Sequence, residues 1–400
     1  MARRAATCYI TRRNSGMKIL WICGLPYDVQ QEALRGEDHG AYAAWSWVLG
    51  HLPPPPGVDL HIACRTARHT APREFSFRGA TFHLVPVKAR ARVFCLFQFD
   101  WRYFRDVVVR VQPDVTHAWG TEDAYAQVAL RLCPERHLIQ VQGNVNAYRR
   151  RVPMPWATIF SAWSERLALA RARHVVAEND YSLQAALPMV KTKSVHVIEH
   201  PIREAFLMAA PSTGEGKQVL FLGAIEERKG IWDALDAFEH GAAPDWKLGI
   251  VGNGRADIMA RLRQRIAQCG SPARITHHPQ LDTAALVALM QASSVFLLPT
   301  RIDTGPTALK EALAMGLWPV CYDNSGPAHY LRRFQFGALA EDLNLVALTE
   351  TLRRALAAQE WKQAMHRAKI ASAIRPHFSR EPIWQQLARL YALIRGRESG

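Results

Sequence analysis

Four side chains in this 400-residue chain stand where their surroundings could do chemistry. Asp303 lies in the loop Pro299-Thr-Arg-Ile-Asp-Thr-Gly-Pro306, and Glu311 follows eight positions later on a helical run opened by Thr307. A strand that ends at Pro299, then a Gly/Pro/Thr loop, then a helix leaves backbone N–H groups unpaired at the carboxyl edge of a sheet. That setting suits an anionic phosphate. One carboxylate can then hold sugar hydroxyls while the other accepts bonds from a ribose. Arg228 and Lys229 stand in Phe221-Leu-Gly-Ala-Ile-Glu-Glu-Arg-Lys-Gly230, between a strand and a helix. Cations there neutralise a diphosphate as its bond to a sugar breaks. Gly223, and Gly252 and Gly254 in Gly252-Asn-Gly254, would let a backbone approach a nucleotide. A dinucleotide fingerprint is excluded, because it needs a glycine where Asp257 stands. Each of these residues also has a plain structural reading, as loop acid, solvated helix acid or turn residue.

The elements that must position them follow from apolar patterning. Short β-rich runs alternate with helical periods: Lys18–Cys23, Val58–Cys64, Thr81–Val87, Val115–Ala118, Leu138–Val141, Val175–Ala177 and Val195–Ile198 read as strands. Ala41–His51, Tyr103–Val111, Ala124–Leu132 and Trp156–Ala172 read as helices. Pro, Ser, Thr and Gly cluster without period over Pro201–Lys217, the best domain boundary. A second series then begins, with strands Val219–Leu222, Leu248–Val251, Arg274–His277, Val295–Pro299 and Trp318–Tyr322. Its helices fall near Ile231–Phe238, Ala256–Cys269, Ala284–Ala292 and Thr307–Met315, and the tail Val346–Ile394 is helical with a break at Pro376. The fold class expected is α/β, with two Rossmann-like domains facing across a cleft.

The stretch around Asp303 and Glu311 resembles the Glu-x7-Glu signature of retaining glycosyltransferases of family 4 (glycosyl transferases group 1), which have the GT-B fold. The resemblance implies that the first acid contacts the donor sugar and the second the nucleotide ribose; here the first is Asp303, one methylene shorter. Phe221–Gly230 is similar to the family's Gly-Arg-Leu-x-x-x-Lys-Gly element, with Lys229 matching and Ala224 at the arginine position, so Arg228 is the candidate to supply that charge. Ala292-Ser-Ser-Val-Phe-Leu-Leu-Pro-Thr300 resembles the strand before the signature, and Gly252 and Gly254 correspond to a Val-Gly-x-Gly loop. Pro279 replaces a common glycine near the nucleobase pocket. Thr304, Gly305 and Thr307 complete the donor-binding set. On the acceptor or sugar side the resemblance points to Gly40, His117, Gln142 and Gly143, with Gln142 where a histidine is common and Trp119 replacing another. Gln142 can hydrogen-bond a sugar hydroxyl but cannot take a proton. That is compatible with retaining transfer, in which the leaving diphosphate oxygen serves as base toward the acceptor.

The implied organisation is a tail or misassigned start at 1–16 and an acceptor domain at 17–205. A linker at 206–217 leads to a nucleotide-sugar donor domain at 218–375 and a C-terminal helix at 376–396 that crosses back to the first domain. No cofactor is implied beyond the nucleotide-diphosphate sugar co-substrate. No metal is implied either, and no Asp-x-Asp occurs. The acceptor would be a glycan, a lipid-linked molecule or a small molecule. The departures at Ala224, Asp303, Gln142 and Trp119 keep a second reading open: a catalytically degenerate nucleotide-sugar binding protein or scaffold.

Composition narrows the field further. The chain has 49% hydrophobic and 21% charged residues, which excludes disorder, and its seven cysteines are scattered singly, without metal-ligand spacing. A reducing, cytoplasmic setting is expected. No apolar run approaches the roughly 18 residues of a membrane span. The net charge is +15. No nucleic-acid motif accompanies it, so no nucleic-acid partner is expected. Basic and aromatic residues mix over Lys88–Arg105, which could rest peripherally on the anionic inner face of a membrane.

Overall fold

A computed structural model describes residues 16–37, 48, 50–88, 92–358 and 364–396. The expected helix Ala41–His51 and the candidate Gly40 lie almost wholly outside the described residues.

The chain forms two sheets. The first contains β1 Met17–Cys23, β2 Val58–Thr66, β3 Arg73–Phe77, β4 Ala80–Pro86, β5 Val115–Trp119, β6 His137–Val141, β7 Val175–Ala177 and β8 Val195–Val197. Their order is β3-β4-β2-β1-β5-β6-β7-β8. All pairs are parallel except β3 with β4. The second sheet, wholly parallel, contains β9 Gln218–Leu222, β10 Lys247–Val251, β11 Ile275–His278, β12 Val295–Leu298, β13 Trp318–Tyr322 and β14 Ala338–Ala340, in the order β11-β10-β9-β12-β13-β14. Parallel strands are covered by helices on both faces, so their side chains are buried whichever way they point; β5 and β6 are buried at every residue, the polar Thr116, His117, His137 and Gln140 included.

Each sheet reverses its strand order once, between β1 and β5 in the first and between β9 and β12 in the second. Loops leaving neighbouring strands on opposite sides of such a point part from one another, and ligands of open α/β sheets bind in the crevice between them. The loops after β9 and β12 carry Lys229 and Asp303, and those after β1 and β5 carry Gly24 and Glu122.

The C-terminal helix Arg380–Gly396 returns to the first domain, as expected. Trp384, Leu387, Leu390, Tyr391 and Ile394 enter the apolar cluster that holds Trp21 and Trp119, and Trp21 Nε1 donates to Tyr391 Oη at 3.0 Å. Pro376 breaks the tail through the short 3-10 turn Arg375–Phe378. Within the stretch read as a linker, Glu204–Met208 is helical and Phe206 is fully buried in the second core. A five-residue helix is too short to display a period. The edge strand β3 was also unread, because Arg73-Glu-Phe-Ser-Phe77 is half polar and reverses at Arg78-Gly79, both with positive φ.

Candidate active site

The second-domain half of the site is built by two loops fastened to each other. After β9 the chain turns through the 3-10 segment Glu227–Lys229, and Gly230 adopts φ +75° against the carbonyl of Pro299, where a side chain would collide. The carbonyl of Arg228 accepts bonds from Arg301 N and Thr300 Oγ1, both at 2.9 Å. This pairing aims two cations at one carboxylate. Lys229 Nζ is ion-paired with Asp303 Oδ2, and an Arg228 guanidinium nitrogen lies 3.8 Å from the same oxygen while donating to the carbonyl of Ile302 at 3.2 Å. Burial alone would lower the Arg228 pKa, but the Asp303 carboxylate raises it. Asp303 itself is 6% exposed. Arg228, the residue expected to supply the charge absent at Ala224, therefore stands with Lys229 beside Asp303.

The first domain closes against this cluster. Thr304 Oγ1 donates to the carbonyl of Gln142 at 2.7 Å and lies 3.4 Å from Tyr148 Oη, whose ring stands 5.4 Å from the Arg228 guanidinium. Asn179 Nδ2 donates to the Thr304 carbonyl at 2.8 Å. Glu178 presses on Gly305 so closely that a side chain at 305 would meet its carboxylate. Lys310, fully buried, pairs with Glu178 and at 3.1 Å with Glu199 Oε1. Burial would raise the Glu178 pKa, yet the Lys310 charge holds it down to about 2.

Glu311 lies apart from Asp303 in its partners. It is fully buried, and Arg203 forks its carboxylate at 2.8 and 2.9 Å. Gly252, at φ +148°, and Gly254 press against the carbonyls of Gly223 and Ile225, so a side chain at either would block the stacking of the two loops, whereas one at Gly223 would make only an ordinary contact with Lys229. Thr307 opens the helix Thr307–Ala314, capped by Pro306 without a side-chain bond.

On the first-domain side, Gln142 lines a cavity of about 460 Å3 with Gly24, Tyr27, Gln30, Arg65, Arg68, Glu122 and Tyr125. Gly143 accepts a 3.5 Å bond from Thr121. Glu122 Oε2 is buried without a hydrogen-bond partner among the described residues, and burial pushes its carboxyl up to about 7. Asp123 is held by Arg65 at 2.8 Å and Arg92 at 2.7 Å. His117 is not at the cavity. It is fully buried beneath the C-terminal helix, 2.7 Å from Tyr391 Oη, and burial lowers its pKa. In the Lys88–Arg105 stretch Phe97 and Phe104 are core residues, whereas Phe94 and Phe99 are exposed. Among the described residues no helix is long and apolar enough to cross a membrane.

Sequence reading missed Glu122, Tyr148, Glu178, Arg203 and Lys310. Lys310 alone left a signal, a charge inside the apolar run Ala308-Leu-Lys-Glu-Ala-Leu-Ala314. The others are recruited from distant segments by the packing of the two domains.

The chain is similar to known proteins in sequence and in fold. Residues 204–372 match the family model described as glycosyl transferases group 1. The GDP-mannose:cellobiosyl-diphosphopolyprenol alpha-mannosyltransferase of Xanthomonas campestris is 26% identical over 251 residues, 59% of this chain and 65% of that protein. The chain therefore matches 65% of the length of these curated relatives, less than two thirds. Among solved structures, a sucrose-phosphate synthase from Thermosynechococcus elongatus superposes with a TM-score of 0.74 at 16% identity, covering 94% of this chain and 99% of that one. HepE of Anabaena, solved with UDP-glucose, gives 0.67 at 14% identity over 94% and 99%. The expected two-sheet GT-B architecture is borne out.

Proposed function

We propose that this chain, whose second domain is of the glycosyl transferases group 1 kind and whose fold is GT-B, moves a hexose from a nucleotide-sugar donor to an acceptor with retention of configuration. The observation that carries the reading is the convergence of Lys229, Arg228 and Asp303 at the switch point of the second sheet, directly opposite Gln142 of the first.

In this reading the donor diphosphate lies against Lys229, Arg228 and the start of the helix Thr307–Ala314, and Asp303 exchanges its lysine for hydroxyls of the sugar. The acceptor hydroxyl arrives from the first-domain cavity beside Gln142. As the bond between the sugar carbon and the diphosphate oxygen breaks, negative charge develops on that oxygen, and the two cations stabilise it without reorganising. The departing oxygen takes the acceptor proton while the acceptor oxygen bonds to the same face of the sugar, so configuration is kept. Contacts between Thr304 and Gln142 and between Asn179 and the Thr304 carbonyl bring donor loop and acceptor domain together, which supports transfer across a closed cleft. The reaction runs without a metal.

The activity of the Xanthomonas relatives, GDP-mannose:cellobiosyl-diphosphopolyprenol alpha-mannosyltransferases, supports a diphosphopolyprenol-linked glycan as acceptor, and with it work at the surface of a membrane. Turnover of a panel of UDP-, GDP- and ADP-hexoses with a polyprenyl-diphosphate-linked disaccharide tests the reading, with product mass and anomeric coupling as readouts. A second reading, a nucleotide-sugar binder without turnover, is favoured by one observation: Asp303, the acid proposed to hold the donor sugar, is 6% exposed and already ion-paired with Lys229. Nucleotide binding with no product from any donor would select it.

A further inference from the structure

We propose that the face of the first domain built from Phe94, Trp156, Ile159 and Trp163 seats on an anionic lipid bilayer. Its purpose rests on the lipid-linked acceptor proposed above, but the surface is argued from its own residues.

The helix Thr158–Arg171 buries Ala162, Glu165, Ala168 and Leu169 toward the domain. The opposite face of such a helix is ordinarily polar. Here it presents Ile159 at 41% and Trp163 at 61% exposure, one turn apart, and Trp156 just before the helix is 70% exposed. Phe94, at 48%, stacks on Trp156 with centroids 5.8 Å apart, and Phe160 meets both rings edge-on at 5.2 and 6.1 Å. The rings brace one another, so the patch is preformed. A contiguous apolar surface of this kind on a folded domain marks an interaction site.

Charge selects the partner. Between Val145 and Arg171 the chain carries five arginines, at 149, 150, 151, 166 and 171, and one acid, Glu165. That acid is buried and bonded to Thr121 Oγ1 and to the backbone of Val145 and Asn146, so it offers nothing to the surface. Arg151 is engaged with Asp342 of the second domain, whereas Arg149 donates to the Thr158 hydroxyl and Arg166 to the Asn146 side-chain oxygen, neutral partners that leave the positive charge in place, and Arg150 and Arg171 are exposed. Tryptophan belongs at the boundary between head groups and acyl chains, and arginines meet anionic head groups there. The helix Val145–Arg151 starts two residues after Gly143, so a bilayer on this face would lie beside the first-domain wall of the cleft.

Co-sedimentation of the full chain with phosphatidylcholine vesicles, with and without phosphatidylglycerol, tests the proposal. Nothing in the assay depends on sugar transfer, so its outcome is separable from that of the transferase reading. Binding is expected at low salt to the phosphatidylglycerol vesicles and to weaken at high salt. Trp156→Ser with Trp163→Ser should lower the partition coefficient about tenfold. Arg149→Gln with Arg150→Gln should remove the preference for anionic lipid. Both variants should keep the wild-type melting temperature and nucleotide affinity. No binding at low salt, or equal binding by the tryptophan variant, overturns the proposal. A dimer in solution that the tryptophan variant dissolves, without vesicle binding, would overturn it by assigning the face to a second copy.

Discussion

Arg203, on the segment joining the two sheets, grips Glu311 of the donor-loop helix through two bonds, Nε to Oε1 at 2.8 Å and a terminal nitrogen to Oε2 at 2.9 Å. A buried carboxylate is tolerated only while paired, so Arg203→Met should cost about 3–5 kcal/mol in denaturant unfolding. Arg203→Met with Glu311→Leu should recover much of that loss, giving a favourable coupling in the double-mutant cycle. Additive effects of the two changes would show that the pair does not act as a unit.

Lys310 holds two carboxylates of other segments, Glu178 and Glu199, with no exposed surface of its own. Lys310→Met should destabilise the chain by about 3–5 kcal/mol at neutral pH. The loss should shrink as pH falls from the ordinary glutamate range toward about 2, where Glu178 protonates in the folded protein. Melting temperatures from pH 7 to 3 check both the size and the direction.

Glu122 behaves in the opposite sense. Its folded pKa, near 7, is above the ordinary 4.5, so the folded state binds the extra proton, and stability falls as pH rises from about 4.5 through 7. Glu122→Gln should match the wild type near pH 4.5 and exceed it at pH 8, by up to about 3 kcal/mol. A wild-type advantage at pH 8 would mean that the ionised carboxylate has partners.

Much of this was legible in the sequence, for a physical reason. Strands covered on both faces are largely apolar, so Val219–Leu222 of β9 and Val295–Leu298 of β12 announce themselves, and the loops with Lys229 and Asp303 follow directly from them. Asp303, Lys229 and Arg228 could therefore be located before their contacts were known. What a linear reading cannot supply is the partner brought by domain packing: Arg203 reaches across 108 positions to Glu311, and Glu178 across 132 to Lys310. His117 marks the same limit in reverse. Its place in the strand before the Trp119-Gly120 turn pointed to the cleft, but His117 is the middle residue of β5 and the returning C-terminal helix covers it with Tyr391. Gly40 falls outside the described residues.

The central claim is that the second domain grips a nucleoside diphosphate sugar through Lys229. Calorimetric titration of the wild type and Lys229→Ala with UDP, GDP and ADP, followed by their hexose conjugates, tests it most directly. The account predicts saturable binding of one nucleotide family by the wild type and at least a tenfold loss in Lys229→Ala, about 1.4 kcal/mol. Binding of no nucleotide by the wild type, or equal binding by both proteins, would contradict it.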